Sequence, residues 1–322
     1  MEKSFRSLAL GIAALAVLLW SPPAALGWDD GGHMIVSEIA ARRLHSGVAR
    51  KIEALLPLLD ARFNRGQLYN LTTAGAWMDD LRALGSEYNW AKWHYIDVPC
   101  TGTLKSVADL KTGVAIANAP EFVEPRPPHA LWALEKIVAL LQIHDASPEA
   151  RAEAVAQTMH IVADIHQPMH VATRNDRGGN GFRVVPFTSS GKPKNLHQFW
   201  DAAYRYGLSE KTVVELWSVP PNRPDGPNAQ GIIAEEATRL LRAHPPESLP
   251  ELARPGCNTP HAWVRATHAL AECYGWPCES VQGVEVELSP EFVERAHDIA
   301  EIQLVLAGCR LAELLNRLLD AK

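Results

Sequence analysis

The sequence predicts a mainly α, single-domain protein, and three observations carry that prediction. Apolar residues recur at three- and four-residue spacing along most of the chain, the period of one helix face. Two steps, Ser147-Pro148-Glu149 and Ser289-Pro290-Glu291, combine an N-cap, a proline at the first helical position and an acid in the first turn. Only one short stretch, Phe182 to Phe187, reads as β.

Residues 1–27 have the form of a secretory leader. Lys3 and Arg6 charge its start, and Leu8 to Trp20 form an apolar run shorter than the roughly 20 residues of a membrane span. Ala25 and Gly27 place small residues before Trp28, so cleavage is expected there, leaving 28–322 as one domain. Ile35, Ile39 and Leu44 begin an apolar stripe that Ile52, Leu55, Leu56 and Leu59 continue. Leu131, Leu134, Ile137, Val138 and Leu141 mark another helix. The helix opened by Ser147 should run to about Gln167, because Pro168 brings no N–H and its ring disfavours a helical residue before it. Beyond Gly178-Gly179-Asn180-Gly181, the β-like run and the Ser190-Gly191 turn signal predict a small hairpin near 182–188. Pro186 makes it an edge. The Pro-rich stretches 218–230 and 243–260 should be loops. The last helix runs from Ser289 to about Leu319, with Ile299, Ile302, Leu306 and Leu314 on its apolar face.

A chain of 322 residues with 47% apolar and 21% charged residues can build a full core. The formal charge is −6, and −7 once Glu2, Lys3 and Arg6 leave with the leader, so no broad basic surface for nucleic acid or membrane is implied. The five cysteines, Cys100, Cys257, Cys273, Cys278 and Cys309, form no CxxC pair, which argues against a zinc–thiolate site. Export permits disulfides, and two bridges with one thiol left over are expected.

The chemistry is concentrated in histidines. His160, Asp164, His166 and His170 crowd one stretch, and His160 and Asp164 lie one helical turn apart on the same face. His197 and Asp201 repeat that spacing. One such pair is equally what a buried His–Asp hydrogen bond looks like. Two pairs with His170 between them point to metal, since zinc takes imidazole nitrogen and carboxylate oxygen. Asp79, Asp80 and Arg82 cluster after Trp77, and His94 precedes Tyr95-Ile96-Asp97. If Trp28 becomes the terminus, its amine and carbonyl can chelate a metal, and His33, after a flexible Gly31-Gly32, can fold back onto the same ion.

In this ordered set the chain resembles the zinc-dependent single-strand nucleases of the S-one/P-one type, whose fold is shared with phospholipase C. The set is Trp-x4-His, Trp-x-Asp-x2-Arg, His-aromatic-Ile-Asp, His-x3-Asp-x5-His, Gly-Gly-Asn and Asn-Leu-His-x3-Asp, running from Trp28 to Asp201. The resemblance implies a multi-helix bundle holding three Zn2+ ions. One would be held by Asp79, His94, His160 and Asp164, and a second by His170, His197 and Asp201. The third would take the amine and carbonyl of Trp28, with His33 and a bridging Asp164. It further implies Asp79 orienting the attacking water, Arg82 adding charge to the transition state, Tyr95 and Asp97 receiving a nucleobase, and Asn180 in the substrate-side loop. The activity implied is cleavage of single-stranded RNA and DNA at the P–O3′ bond to leave 5′-phosphates, with 3′-nucleotidase activity, in a secreted or periplasmic monomer.

The other histidines, His45, His129, His144, His244, His261, His268 and His297, match no motif and are expected to be structural or surface groups. His166 is expected to be structural or to support the site, not to bind metal. Trp77, Trp90, Trp93 and Trp200 are expected in the core, and Asn70-Leu71-Thr72 is a glycosylation sequon. Two alternatives remain open. A zinc phospholipase C shares the fold, although its last helical pair resembles His-x3-Glu where this chain has His197-x3-Asp201. A non-catalytic zinc binder would keep the cluster without turnover, and the presence of both Asp79 and Arg82 argues against it.

Overall fold

The computed structural model describes residues 28–59, 63, 68–84, 90–100, 122–186, 193–206, 229–253, 256–277 and 284–320, with the side chains of residues 82, 83, 229 and 230 excepted. The domain is mainly α. Its longest helix among the described residues is the C-terminal one, here α11 (Pro290–Leu319), opened by the Ser289 hydroxyl accepting from the Phe292 amide and by Pro290 at its first position. Most of its apolar face is buried, including Ile299, Leu304, Leu306, Leu311 and Leu314.

Helix α1 (Asp30–Ala41) lies against α11 at close range. Gly308 makes this possible, because a Cβ there would fall 2.5 Å from Ile39 Cγ2 and 3.1 Å from the Val36 carbonyl oxygen. Helix α2 (Ser46–Leu55) follows, then the one-turn helix α3 (Trp77–Asp80). Helices α4 (Ala130–Leu141) and α5 (Pro148–Asp164) are neighbours in sequence and pack on each other. From Ala154 to Asp164 every residue of α5 is buried, since α1, α4 and α11 all contact it.

Helix α5 stops at Asp164, not at Gln167. Pro168 does not merely end it but opens α6 (Pro168–Val171), where a missing N–H at the first position costs nothing. Helix α7 (Leu196–Asp201) is capped by Asn195, whose side chain accepts from the Gln198 amide at 2.8 Å. Helices α8 (Ala229–Ala243), α9 (Pro250–Ala253) and α10 (Pro260–Tyr274) precede α11. The stretch 243–260, expected as loop, therefore contains helical turns at Pro246–Ser248 and α9, each with a proline at its start. Residues 218–228 lie outside the described residues.

Where the hairpin near 182–188 is expected, the chain runs antiparallel to 194–196: the Leu196 amide donates to the Phe182 carbonyl at 2.9 Å and the Val184 amide to the Lys194 carbonyl at 3.3 Å. Arg183 makes one antiparallel bridge to Asn195, while Val184 turns to a parallel bridge with Val286 and Val185 donates to the Val286 carbonyl at 3.0 Å. Residues 187–192, between the two paired segments, lie outside the described residues. The sheet among the described residues is elsewhere: β1 (Val98–Pro99) pairs in parallel with β2 (Ala172–Thr173).

Among the described residues no disulfide is formed: Cys100, Cys257, Cys273 and Cys309 are free thiols, and Cys278, the fifth cysteine of the expected bridges, lies outside the described residues. Burial pushes the Cys100 thiol up to about 12 and that of Cys273 up to about 11, as befits packed neutral groups. Among the described residues no helix is long and apolar enough to cross a membrane. The leader 1–27 lies outside them.

Candidate metal centre

The fold brings all the expected His and Asp donors to one buried place. Helix α1 supplies His33, α3 Asp79, α5 His160 and Asp164, α6 His170, and α7 His197 and Asp201, while His94 follows the turn Ala91–Trp93. Among the described residues three groups have donor atoms within 4.8 Å of one another: His33, Asp79 and His160; His94, His160 and Asp164; and His170, His197 and Asp201.

Asp164 lies between these groups. Its Oδ2 is 3.1 Å from His160 Nε2 and 3.2 Å from His94 Nδ1. Its Oδ1 is 3.3 Å from His33 Nε2 and 3.7 Å from His170 Nδ1. Asp79 faces His33, His94 and His160 at 3.7–3.9 Å. The neighbouring Asp80 instead accepts from the Tyr69 hydroxyl at 2.6 Å.

The remaining ring nitrogens fix the tautomers. His160 Nδ1 donates to the Gly75 carbonyl at 2.7 Å, which turns its Nε2 toward the centre. His197 Nδ1 donates to the Gly178 carbonyl at 2.5 Å and His170 Nδ1 to the His94 carbonyl. Backbone carbonyls only accept, so the two Nε2 atoms, 3.0 Å apart, both present lone pairs. Such a pair needs a proton or a cation between its members. Neither oxygen of Asp164 and neither nitrogen of His33 has a well-directed hydrogen bond, although both residues are fully buried. Buried groups of this kind call for a partner of opposite charge. A cation fits this donor set, which is of the nitrogen and oxygen type that zinc takes.

The electrostatics agree. Burial alone would raise Asp164, but the imidazoles of His160 and His170 hold it well below the usual carboxylate range. Burial, then His160, pushes His33 down. Burial pushes Asp201 well up, opposed by its hydrogen bond from Gln167. Burial and the charges of Asp79, Asp29 and Asp80 push Asp30, a carboxyl the sequence did not single out, up to about 8.

Trp28 is fully buried, and its indole N–H donates to the Ala163 carbonyl at 3.0 Å, one residue before Asp164. Gly31 and Gly32 are not a flexible spacer. Both lie in α1, where a Cβ on Gly32 would stand 2.7 Å from Trp28 Cβ. Tyr95 and Asp97 are half-buried beside the centre, since Ile96 between them donates to the His170 carbonyl at 2.7 Å. Burial raises Asp97. Asn180 sits in the adjoining loop, but its amide is engaged by the Arg177 carbonyl at 2.9 Å. Arg82 lies in the turn Leu81–Leu84, and its side chain is outside the described set.

The profile of the S1/P1 Nuclease family matches residues 28–320. The chain belongs to the S1/P1 nuclease family. Endonuclease 2 of Arabidopsis thaliana is 29% identical over 307 residues, covering 94% of this chain and 93% of the relative. Endonuclease 1 of the same plant is 27% identical over 331 residues, 98% and 95% of the two chains. Nuclease S1 of Aspergillus oryzae is 27% identical over 197 residues, 59% and 61%. The protein is therefore a hydrolytic nuclease acting on nucleic acid, and its His/Asp groups could hold the metal of a metal-dependent S1/P1 nuclease.

Several contributors escaped the sequence reading. Gln167 caps α6 and donates from its amide to Asp201 Oδ1 at 2.6 Å, so one side chain serves the elements of His170 and Asp201. The carbonyls of Gly75 and Gly178 hold His160 and His197. No motif marks them, since they act through backbone atoms or an uncharged amide. His166, for which the sequence leaves a structural or a site-supporting role, has both ring nitrogens engaged by groups outside the donor set. Its Nδ1 donates to the Val162 carbonyl at 2.7 Å and its Nε2 accepts from buried Arg310 at 2.8 Å.

Proposed function

We propose that the protein is a secreted or periplasmic phosphodiesterase that holds three zinc ions and cleaves single-stranded RNA and DNA at the P–O3′ bond, leaving 5′-phosphates, with 3′-nucleotidase activity. The observation that carries this reading is the position of Asp164, in reach of His33, His94, His160 and His170 with no well-directed hydrogen bond of its own. Asp79, His94, His160 and Asp164 would hold one zinc, and His170, His197 and Asp201 a second. Trp28, through its amine and carbonyl, would hold the third with His33 and Asp164 once residues 1–27 are removed. Bound zinc supplies Lewis acidity toward phosphoryl oxygens and lowers the pKa of water toward neutrality.

The chain's own residues do the rest. Asp79 orients the attacking water by accepting its hydrogen bond, in line with the departing 3′ oxygen. Arg82 adds positive charge where the transition state gains negative charge. Tyr95 stacks on a base and Asp97 hydrogen-bonds its edge, so the base must leave its stack. That favours single strands. Asn180 stands in the loop on the substrate side. The active species is taken to be a monomer.

The test uses the chain beginning at Trp28, loaded with zinc, beside the same protein stripped with EDTA. Single-stranded and duplex RNA and DNA are the substrates. Zinc-dependent release of 5′-phosphorylated products from single strands is expected. Cleavage that leaves 3′-phosphates, survives EDTA or prefers duplexes would overturn the reading.

A further inference from the structure

Asp29 follows Trp28 and precedes His33 by four residues. Its N–H donates to the Asp201 carbonyl at 3.1 Å. Its Oδ1 accepts from the Gly32 amide at 3.0 Å, which caps α1, and from the Tyr204 hydroxyl at 2.7 Å. Its Oδ2 is paired with Arg205 Nη2 at 2.6 Å. Arg205 Nε also donates to the Tyr204 hydroxyl oxygen at 2.9 Å, and the Tyr204 ring meets Trp28 edge-on with centroids 6.2 Å apart.

Arg205 is only 2% exposed. A guanidinium so deep persists only when its charge is met. Burial would lower it, but Asp29 and Tyr204 hold it above the usual arginine range. Gly31 leaves the space, since a Cβ there would fall 2.6 Å from the Tyr204 hydroxyl and 2.7 Å from Arg205 Nη2. Arg205 ends the turn Ala203–Arg205 that directly follows α7. The ion pair thus joins the segment bearing Trp28 and His33 to the segment bearing His197 and Asp201.

We infer that Arg205 is a positioning residue for the metal centre, acting through Asp29 to hold Trp28 and His33 against Asp164. This rests on the zinc reading above. A chain end frays unless it is tied down, and removal of the leader makes Trp28 an end. The indole bond to Ala163 holds the side chain of Trp28. The Asp29–Arg205 pair holds the backbone that follows it.

The test compares Arg205→Gln, Asp29→Asn and the double variant with the parent, all beginning at Trp28. Zinc per chain is measured by elemental analysis after stripping and reloading. The affinity of each equivalent is measured by competition with a chromophoric chelator. Melting of the stripped proteins monitors the fold. Each variant should weaken one zinc equivalent about 10–100-fold while the others keep the parent's affinity, the usual effect of losing a group that orients a ligand. The double variant should be little worse than either single one, because the two residues act as one pair. If Arg205→Gln does not fold, Asp29→Asn carries the test, since the asparagine oxygen can keep the cap and the Tyr204 contact while its amide nitrogen, facing Arg205, can no longer accept from the guanidinium. Unchanged affinity for every equivalent alongside a lower melting temperature would make the pair purely structural and overturn the inference. Equal weakening of all equivalents would overturn it too. A parent that takes up no zinc would overturn the zinc reading itself, before any variant is compared.

Discussion

Asp164 is held below its ordinary pKa by imidazoles that are themselves buried, so its charge and theirs depend on one another. Asp164→Asn keeps the shape and removes the charge. On the zinc reading proposed above, zinc content should fall by at least one equivalent and kcat by on the order of 10³-fold, the several kcal/mol that a metal contributes to such a transition state. Elemental analysis and single-strand cleavage read the two effects, and full zinc content in the variant would show that Asp164 does not bridge. A second residue carries strain. Arg177 has φ 59°, a left-handed conformation costly for a side chain with a Cβ, and it precedes the Gly178 carbonyl that holds His197. Arg177→Gly should raise stability by about 0.5–1 kcal/mol, the relief of strain less the added freedom of glycine in the unfolded chain. Urea unfolding measures it, and a loss of stability would mean that the arginine side chain makes contacts worth more than the strain.

At the scale of elements, α1 and α11 fix where His33 stands, and Gly308 sets their separation. Gly308→Ala would drive a methyl group into Ile39 and the Val36 carbonyl, at 2.5–3.1 Å. It should cost about 1–3 kcal/mol, as overpacking of a filled core does, with a lower melting temperature for stripped and loaded protein alike. An unchanged melting temperature would show that the helices part freely. The last helix, with its Ser289-Pro290 start and its end at Leu319, was legible because cap, proline and apolar period agree. The His160–Asp164 and His197–Asp201 pairs were legible because helical spacing alone puts both side chains on one face. The end of α5 was not, because a proline that cannot continue a helix is also well suited to begin one, and Pro168 does the second. The β pairing of Val98–Pro99 with Ala172–Thr173 joins segments too short to show a period. The role of Gly31-Gly32 was misread as freedom because close packing leaves the same residue in the sequence.

At the scale of the molecule, a buried polar cluster away from the metal centre ties α8, α11 and the turn after α7 together. His297 Nε2 is 3.0 Å from Glu301 Oε1, and its Nδ1 is 3.2 Å from the Ala203 carbonyl. Both partners only accept, so the ring carries two protons and a positive charge. Burial works against that charge, but the Glu301 carboxylate outweighs it and holds His297 above the ordinary 6.5. Burial likewise works against the charge of Glu301, yet hydrogen bonds from His244, His297 and Arg239 hold it well below the ordinary 4.5. Glu236 completes the group by pairing with Arg239 at 2.6 Å. The signs are opposite. The stabilisation from Glu301 is present above its unfolded value and lost as pH falls through its depressed folded value. That from His297 is present below 6.5 and lost as pH rises through its raised folded value. The cluster is therefore strongest between 4.5 and 6.5. His297→Gln keeps a donor but no charge. In metal-stripped protein it should cost about 1–3 kcal/mol at about pH 5–6, the range for a hydrogen bond to a charged group, and progressively less as pH rises through the raised folded value. Melting curves of parent and variant from about pH 5 to 9 measure the gap. A gap that stays constant across that range would show that the ring is neutral and that the link between α8 and α11 does not depend on its charge.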